Sequence, residues 1–275
     1  MEIIDSQIHV WEAASTERPW PNGLISLQGD PFSIDQALAT MDSSNVDRAV
    51  LVAPSWVGND NYYVLEAACR HPNRFAVMGR IDLDADQSEE TLTSILSSQG
   101  VLGIRLLLNS DVTRNYVFDR NYDWFWDRCQ ADDVPVMLFV PAGADIIEPL
   151  ASKYPLLKII VDHAGRNPRS PKDEAAWHDL DALLALAEFD NVAVKVSSLP
   201  AFSTGPYPYE VLHEPIRAIH NTFGANRMMW GSDVTRLVHP YLDNVRLFIE
   251  ALDFLSPSDL DQIMGKSLRQ WCGWD

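Results

Sequence analysis

The chain alternates short, continuous apolar runs with longer segments in which apolar residues recur every three or four positions. The short runs are typical of buried β-strands, and the longer segments are typical of amphipathic helices. Eight strands are predicted in this way, at residues 3–11, 49–53, 75–79, 101–108, 134–140, 157–162, 191–196 and 227–230. Helices are predicted between and after them, at residues 34–41, 59–71, 88–98, 121–132, 145–153, 173–188, 207–223, 239–251 and 258–268.

This alternation predicts a parallel sheet with both faces covered by helices. Eight strand–helix units close naturally into a (β/α)8 TIM barrel, so residues 1–275 are expected to form a single domain. An open, doubly wound sheet is the alternative fold. Against it, no strand is followed by a G-x-G-x-x-G or G-x-x-x-x-G-K turn, the usual cradle for a nucleotide. Residues 12–30 are predicted to form a long loop, where Trp11, Trp20 and Pro21 either wall a pocket or plug one barrel end.

Composition narrows the class of protein further. A length of 275 residues suits one barrel, and 47% hydrophobic with 22% charged residues is typical of a compact folded domain. The formal net charge of −18 repels phosphate backbones and anionic lipid. Nucleic acid and membranes are therefore not expected as partners, and a small anionic molecule bound by local arginines is the more interesting candidate.

Targeting and oxidation state follow from a few residues. Cys69, Cys129 and Cys272 are widely separated and form no C-x-x-C motif, which argues against a disulfide framework or a thiolate zinc site. No basic leader or membrane-length apolar stretch occurs, so a cytoplasmic location is expected. Trp271 and Trp274 near the end of the chain are expected to be exposed and would permit a homodimer without requiring one.

The candidate chemistry lies at the predicted strand ends, because the carboxyl ends of all barrel strands meet at one face. Gln7 and His9 are two residues apart on the first strand, so their side chains are expected to point the same way. The polar residues that the barrel would gather there are Gln7, His9, Arg80, Asp82, Arg105, His163, Arg166, Lys195, Ser197, Asp233 and Arg236.

Each of these residues also has a simpler interpretation. Asp233 is a general base or metal ligand, or it only caps a short helix. His163 belongs to the site, or it is part of a turn with Asp162 whose polar groups are hydrogen-bonded within the turn. Arg105 emerges from an apolar strand and needs an anion, which is a substrate carboxylate or an internal salt bridge to Asp82 or Asp233. Lys195 is a Schiff-base lysine or, in the preferred interpretation, a core cation or second anion contact.

Four motifs in order along nearly the whole chain resemble the amidohydrolase-related proteins, the "amidohydrolase 2" branch of the amidohydrolase superfamily. The motifs are Ile4-Asp5-Ser6-Gln7-Ile8-His9-Val10-Trp11, Gly103-Ile104-Arg105-Leu106, Val161-Asp162-His163-Ala164-Gly165 and Trp230-Gly231-Ser232-Asp233. The pattern looks most like the 2-pyrone-4,6-dicarboxylate lactonase and sugar-lactone hydrolase members. In metal-dependent members, a histidine pair, a strand-five histidine and the strand-eight aspartate gather on zinc.

This chain departs from that zinc pattern. Gln7 replaces the first histidine, and strand five ends without a histidine. Only His9, His163 and Asp233 remain as zinc ligands, and a neutral amide is a poor ligand beside imidazole. The resemblance therefore implies a lactonase that needs no cofactor. A metal-dependent decarboxylase or hydrolase and a non-catalytic carboxylate-binding protein are the alternatives.

Within the lactonase hypothesis, Asp233 deprotonates the attacking water and His163 and His9 stabilise the oxyanion. Gln7 donates an N–H group to the same oxygen or positions the water. Arg105, helped by Arg166 or Arg236, holds the carboxylate of the substrate. The expected reaction is the opening of a carboxylate-bearing lactone.

Overall fold

The computed structural model describes residues 1–21, 30–167, 171–237 and 239–275, and its centre is a barrel of eight parallel strands. The strands are β1 (Ile4–Ile8), β2 (Arg48–Leu51), β3 (Phe75–Arg80), β4 (Val101–Leu107), β5 (Val136–Phe139), β6 (Ile159–Val161), β7 (Val192–Ser197) and β8 (Met228–Gly231). They neighbour one another in sequence order without a reversal. The predicted (β/α)8 barrel is confirmed, and the doubly wound alternative is wrong.

Helices surround the strands. They are α1 (Ile34–Asp42), α2 (Tyr62–Arg70), α3 (Ser88–Leu96), α4 (Asp111–Arg114), α5 (Asp123–Ala131), α6 (Ala144–Lys153), α7 (Leu180–Ala185), α8 (His213–Phe223), α9 (Tyr241–Arg246), α10 (Pro257–Asp261) and α11 (Ser267–Cys272). Ser33 caps α1 as its position predicts, since its hydroxyl accepts from the backbone N–H of Gln36. Within the described ranges, no helix combines the length and the apolar character needed to cross a bilayer.

Several predicted helices are shortened or divided in the structure. The helix predicted at residues 207–223 begins only with α8, after a 3₁₀ turn, and the helix predicted at residues 239–251 is α9 followed by a π-helical turn. The single helix predicted at residues 173–188 is a 3₁₀ turn, the short α7 and a second 3₁₀ turn. The break comes at Asp179, which leaves the helical conformation (φ −113°, ψ 24°) and binds the guanidinium of Arg166. The last predicted helix is likewise divided into α10, one π-helical turn and α11. Helix α4 has no counterpart in the prediction. The periodicity of apolar residues alone did not predict these differences, because tertiary contacts override helix propensity.

The core has two parts, one between strands and helices and one inside the barrel. The inner part is an apolar cluster that contains Ile4, Val50, Val52, Ala76, Met78, Met137, Ile160, Ala193 and Met229. Leu268, Cys272 and Trp274 belong to the same cluster. The expectation that Trp274 is exposed is wrong, because its ring is buried and Arg48 lies 5.4 Å from the ring centroid. Trp271 is half-buried and donates to the carbonyl of Asn226.

The barrel closes between β8 and β1 through the buried carboxylate of Asp5. Its Oδ1 accepts the backbone N–H groups of Gln7 and Ser232, each at 2.9 Å, and its Oδ2 accepts the hydroxyl of Tyr241 at 2.8 Å. The backbone N–H of Asp233 also donates to the carbonyl of Gln7 at 3.0 Å. A side chain therefore completes the junction of the two strands that carry Gln7 and Asp233.

Gly231 allows β8 to approach this junction closely. A Cβ at that position would lie 2.4 Å from Ser6 Oγ and 3.1 Å from Ser197 Cβ. Because real Cβ atoms do not approach that closely, any larger residue would push β8 away from β1 and β7.

We expect Asp5→Asn to remove a pH dependence of stability. Burial, opposed by its hydrogen bonds, raises the pKa of Asp5 from 3.8 to about 6. A carboxyl whose folded-state pKa is raised stabilises the fold at pH values below 4 and loses that contribution as pH rises through 6, here by roughly 2–3 kcal/mol. Asparagine keeps the Oδ1 acceptor and donates to Tyr241 instead.

Urea unfolding between pH 4 and 7 measures this effect. The difference in unfolding free energy between Asp5→Asn and the wild type should grow in favour of the variant as pH rises. Tyr241→Phe is the control, since it leaves Oδ2 of Asp5 without its partner and should cost about 1–3 kcal/mol. Parallel curves for wild type and Asp5→Asn would contradict the assignment.

Candidate active site

Gln7 and His9 lie together where β1 ends, as their spacing predicts. The Nε2 atoms of the two side chains are 3.3 Å apart and both residues are buried. The Nδ1 atom of His9 lies 2.8 Å from the carbonyl oxygen of Val52 at the end of β2. A carbonyl only accepts, so Nδ1 carries the hydrogen, and the Nε2 atom of a neutral His9 presents a lone pair.

Asp233 follows β8 and faces His9. Its Oδ1 lies 3.1 Å from Nε2 of His9. Its Oδ2 accepts the hydroxyl of Ser198 at 2.5 Å and lies 3.5 Å from Nε of Arg236. The carboxylate is fully buried, and it contacts groups from the ends of three different strands. Asp233 is therefore part of the site and does more than cap a turn.

His163 joins the same cluster from the end of β6. Its Nε2 lies 3.4 Å from Nε2 of Gln7 and 3.8 Å from Oδ2 of Asp233. Its Nδ1 lies 2.8 Å from Oγ of Ser197. The amide nitrogen of Gln7 only donates, so Nε2 of a neutral His163 accepts and Nδ1 carries the hydrogen toward Ser197. Because the hydroxyl of Ser197 both donates and accepts, it also permits the other tautomer. In this respect the two histidines differ.

Three consecutive strands deliver site residues through the same backbone conformation. His163 after β6, Ser198 after β7 and Asp233 after β8 are left-handed, with φ of 52°, 58° and 52°. This conformation costs a residue other than glycine roughly 1–2 kcal/mol. Such strain persists only where the surroundings enforce it, and it concentrates at functional sites.

Burial sets the protonation of these groups. It lowers the pKa of His163 to about 3 and also lowers the pKa of His9 against the opposing attraction of Asp233. Burial alone would raise the pKa of Asp233, but His9, His163 and Arg236 bring it below the usual range. At neutral pH the cluster therefore presents a carboxylate beside two uncharged imidazoles.

Beneath this cluster, Asp162 joins two buried cations. Its Oδ1 lies 2.8 Å from Nζ of Lys195, and its Oδ2 accepts from Nε of Arg105 at 2.6 Å. Despite the opposing effect of burial, the two cations hold the pKa of Asp162 well below its usual range. We call Asp162, Lys195 and Arg105 the charged layer. Lys195 is a core cation, as preferred, and Arg105 has an internal carboxylate partner other than Asp82 or Asp233.

Arg80 lies next to Arg105 but has a different environment. The two residues are register partners on β3 and β4. The guanidinium of Arg80 donates only to neutral oxygens, the carbonyl of Ala53 at 3.3 Å and the side chain of Asn59 at 3.2 Å. Among the described residues, no carboxylate lies within ion-pair distance of it. Burial and the charge of Arg105 lower the pKa of Arg80 to about 9, so it remains a cation at neutral pH.

The structure does not bring all of the remaining predicted residues to the histidine cluster. Arg166 is buried, but it pairs with Asp179 at 2.5 Å and lines a cavity of about 310 Å³ outside the histidine cluster, beside Val140 and Gly165. Arg236 contacts Asp233 and so belongs to the cluster. Asp82 is exposed and lies outside it.

A second cavity lies beside the end of β1. It has a volume of about 450 Å³, and Trp11 and Trp20 wall it, which confirms one of the two interpretations of the long loop. Pro21 lies against Gly58 instead. The rest of that loop, residues 22–29, lies outside the described residues.

Sequence reasoning missed two members of the site and undervalued a third. Ser198 holds Asp233, and Asp162 is the centre of the charged layer, although the sequence suggested only a turn for it. Arg80 was among the strand-end residues without an assigned role. The signal for Asp162 was the presence of Arg105 and Lys195 inside apolar strands, since two buried cations require a buried acid.

Comparisons with known proteins identify the family and the fold of this chain. A family model described as "Amidohydrolase" matches residues 4–267. An L-fucono-1,5-lactonase of Burkholderia ambifaria is 30% identical over 244 residues, which cover 87% of this chain and 83% of that protein. A solved amidohydrolase of Burkholderia multivorans with bound zinc has a TM-score of 0.82 at 22% identity and covers 99% of both chains. A probable 2-pyrone-4,6-dicarboxylic acid hydrolase of Acinetobacter baumannii, with citric acid bound, has a TM-score of 0.79 at 19% identity and covers 100% of both.

The zinc in one structural neighbour raises the question of whether the present residues fit that metal. Among the described residues, no group of three or more His, Cys, Asp and Glu side chains has an arrangement that could hold a metal ion. His9, His163 and Asp233 do lie together, but the amide nitrogen of Gln7 lies within 3.4 Å of Nε2 of both histidines. Zinc needs lone pairs, and an amide nitrogen offers only hydrogens. The donor set does not fit zinc.

We expect Asp162→Asn to destabilise the fold by about 3–5 kcal/mol, because Lys195 and Arg105 would stay buried without a negative partner. Urea unfolding measures this change. The matched control is Asp133→Asn, which removes the exposed partner of Lys158 and should cost no more than about 1 kcal/mol. Equal stability of the two variants would show that the charged layer does not have this role.

Proposed function

The chain belongs to the amidohydrolase family of hydrolases, and we propose that it opens a lactone that carries a carboxylate, using water activated by Asp233 without a tightly bound metal. The lactonase relative supports lactone hydrolysis in general terms. The finer statements rest on the site itself. The observation that carries them is the position of a buried carboxylate oxygen 3.1 Å from an imidazole nitrogen to which it can pass a proton, where β1 and β8 end.

The carboxylate of Asp233 forms a natural site for the attacking water. In its neutral form His9 carries hydrogen on Nδ1, so its Nε2 has one lone pair, which faces the amide of Gln7 as well as Oδ1 of Asp233. A water molecule that donates a hydrogen to Oδ1 is held and polarised there. The hydroxyl of Ser198 fixes the carboxylate for this task. Asp233 therefore acts as general base, with its pKa low enough to keep it ionised.

The proton then has a short path through the cluster. When water attacks the lactone carbonyl, its proton passes to Oδ1 of Asp233 and from there to Nε2 of His9. The resulting imidazolium donates to the oxyanion together with an N–H of Gln7. His163 joins them in the tautomer that carries hydrogen on Nε2, which the hydroxyl of Ser197 permits. The same proton finally reaches the alkoxide that leaves as the ring opens. His9 thus stabilises the oxyanion only after it has been protonated.

The charge of the site favours an anionic substrate. Four cations, Arg80, Arg105, Lys195 and Arg236, stand against only two carboxylates, Asp162 and Asp233, in a chain of net charge −18. Arg80 has no ion-pair partner among the described residues, and the bond to Asp162 uses one of the five N–H donors of Arg105. We assign the substrate carboxylate to Arg105 and Arg80, with Arg236 beside the reacting atoms. Arg166 would contact a substrate group that extends into the cavity it lines.

We expect Asp233→Asn to lower kcat by roughly 10³-fold or more, because the amide cannot take a proton from water. A panel of lactones, followed with a pH indicator in the presence and absence of zinc, identifies the substrate and measures the loss. Asp82→Asn is the control, since it removes an exposed acid near the same face. Wild-type turnover by Asp233→Asn would refute the assignment.

We expect Arg80→Met to raise KM for a carboxylate-bearing lactone by about 10-fold or more, the equivalent of losing one charged hydrogen bond. KM for a neutral lactone should not change. The melting temperature should not fall, because the variant removes a buried charge that no carboxylate balances. Arg120→Met, at an exposed position, is the matched control. A similar rise in KM for both kinds of lactone would argue against an anionic substrate.

A further inference from the structure

Lys195 determines which end of the Gln7 amide faces the histidines. The ammonium of Lys195 donates to Oε1 of Gln7. An ammonium has only donors, so the atom opposite it must be the amide oxygen. The Nε2 group of Gln7 therefore points the other way, 3.3 Å from Nε2 of His9 and 3.4 Å from Nε2 of His163. The usual ambiguity of an amide side chain does not arise here.

Lys195 cannot move away from this contact easily. It is fully buried on β7, and Oδ1 of Asp162 lies 2.8 Å from its Nζ. The thioether of Met137 lies 3.5 Å from the same nitrogen, where the apolar inner core begins. The carboxylate of Asp162 is in turn held by Arg105. The ammonium of Lys195 is thus held by Asp162 on one side and donates to the side chain of Gln7 on the other.

The partly positive NH2 group of the Gln7 amide therefore lies where the Nε2 lone pairs of His9 and His163 converge. One hydrogen of the Gln7 amide faces His9, and the other is directed toward His163. A metal ion at that point would meet the amide hydrogens and, behind them, a full positive charge on Lys195. Rotating the amide to offer its oxygen would place its NH2 group against the ammonium, two donors facing each other.

We propose that Lys195 and Gln7 together take the place of a divalent cation in this barrel, with Lys195 as the positioning residue and the Gln7 amide as the group that faces the reacting oxygen. The catalytic part of this inference rests on the proposed lactone hydrolysis. The exclusion of metal does not, because it depends only on the orientation of the amide. The pair supplies hydrogen-bond donors where a metal would act as a Lewis acid.

Zinc binding provides a test that does not need activity. Chelator-treated wild-type protein is dialysed against micromolar zinc, and bound metal is counted by elemental analysis. We expect substoichiometric zinc in the wild type. Stoichiometric, tightly held zinc in the wild type would overturn the proposal without any variant having to fold.

A single variant and a double variant separate the contributions of Gln7 and Lys195 to zinc binding. Gln7→His adds an imidazole but leaves the ammonium against it, so zinc binding should remain weak. In the double variant Gln7→His/Lys195→Met the ligand is added and the charge removed, and zinc affinity should rise by on the order of 100-fold. Cobalt substitution reports the same change through visible absorption. If Gln7→His alone binds zinc as tightly as the double variant, Lys195 does not exclude metal and the proposal is wrong.

Lys195→Met tests the positioning role in catalysis. Without the ammonium the amide is free to rotate, and kcat should fall roughly 10²-fold while KM is unchanged, because a donor to the oxyanion is lost. A rise in KM with unchanged kcat would contradict the positioning role of Lys195. If no lactone is turned over but the zinc pattern holds, the proposed function fails and this inference stands. If the wild type hydrolyses lactones only with bound zinc, the inference fails and lactone hydrolysis stands.

Discussion

The ion cluster of Asp162, Lys195 and Arg105 is the constraint on which the rest of the site depends. Buried charges are costly unless they are paired, and Asp162 pairs with two cations from two other strands. The cluster lies between the apolar lower core and the histidines. It therefore links β4, β6 and β7 directly below the histidine cluster. It also determines which hydrogen-bond donors and acceptors face that cluster.

Hydrogen-bond partners then give two chemically identical histidines different tasks. The carbonyl of Val52 commits His9 to a single neutral tautomer, whereas the hydroxyl of Ser197 leaves His163 a choice. Asp233 lies within 4 Å of both and is held by Ser198. In the proposed reaction, one carboxylate and two imidazole rings can thus provide the general base, the proton carrier and the oxyanion donor.

Much of the fold and part of the site could be predicted from the residues. Continuous apolar strands gave the barrel, and the strand-end rule brought Gln7, His9, His163 and Asp233 together. The partner of Arg105 was not predicted, because Asp82, Asp162 and Asp233 all lie near predicted strand ends and only the folded structure places Asp162 against both Arg105 and Lys195. The broken helix around Asp179 was hidden for a similar reason, since its cause is a tertiary contact with Arg166. Trp274 was misjudged because its position near the end of the chain gives no information on burial.

The left-handed residues at the ends of β6, β7 and β8 restrict how this barrel can diversify. Branched side chains such as valine, isoleucine and threonine strongly resist that conformation, whereas asparagine, aspartate, histidine and glycine accept it. β-Branched residues are thus disfavoured at positions 163, 198 and 233, where the chain has His, Ser and Asp. Variation in specificity should therefore arise more readily on the other five strands than at these three strand ends.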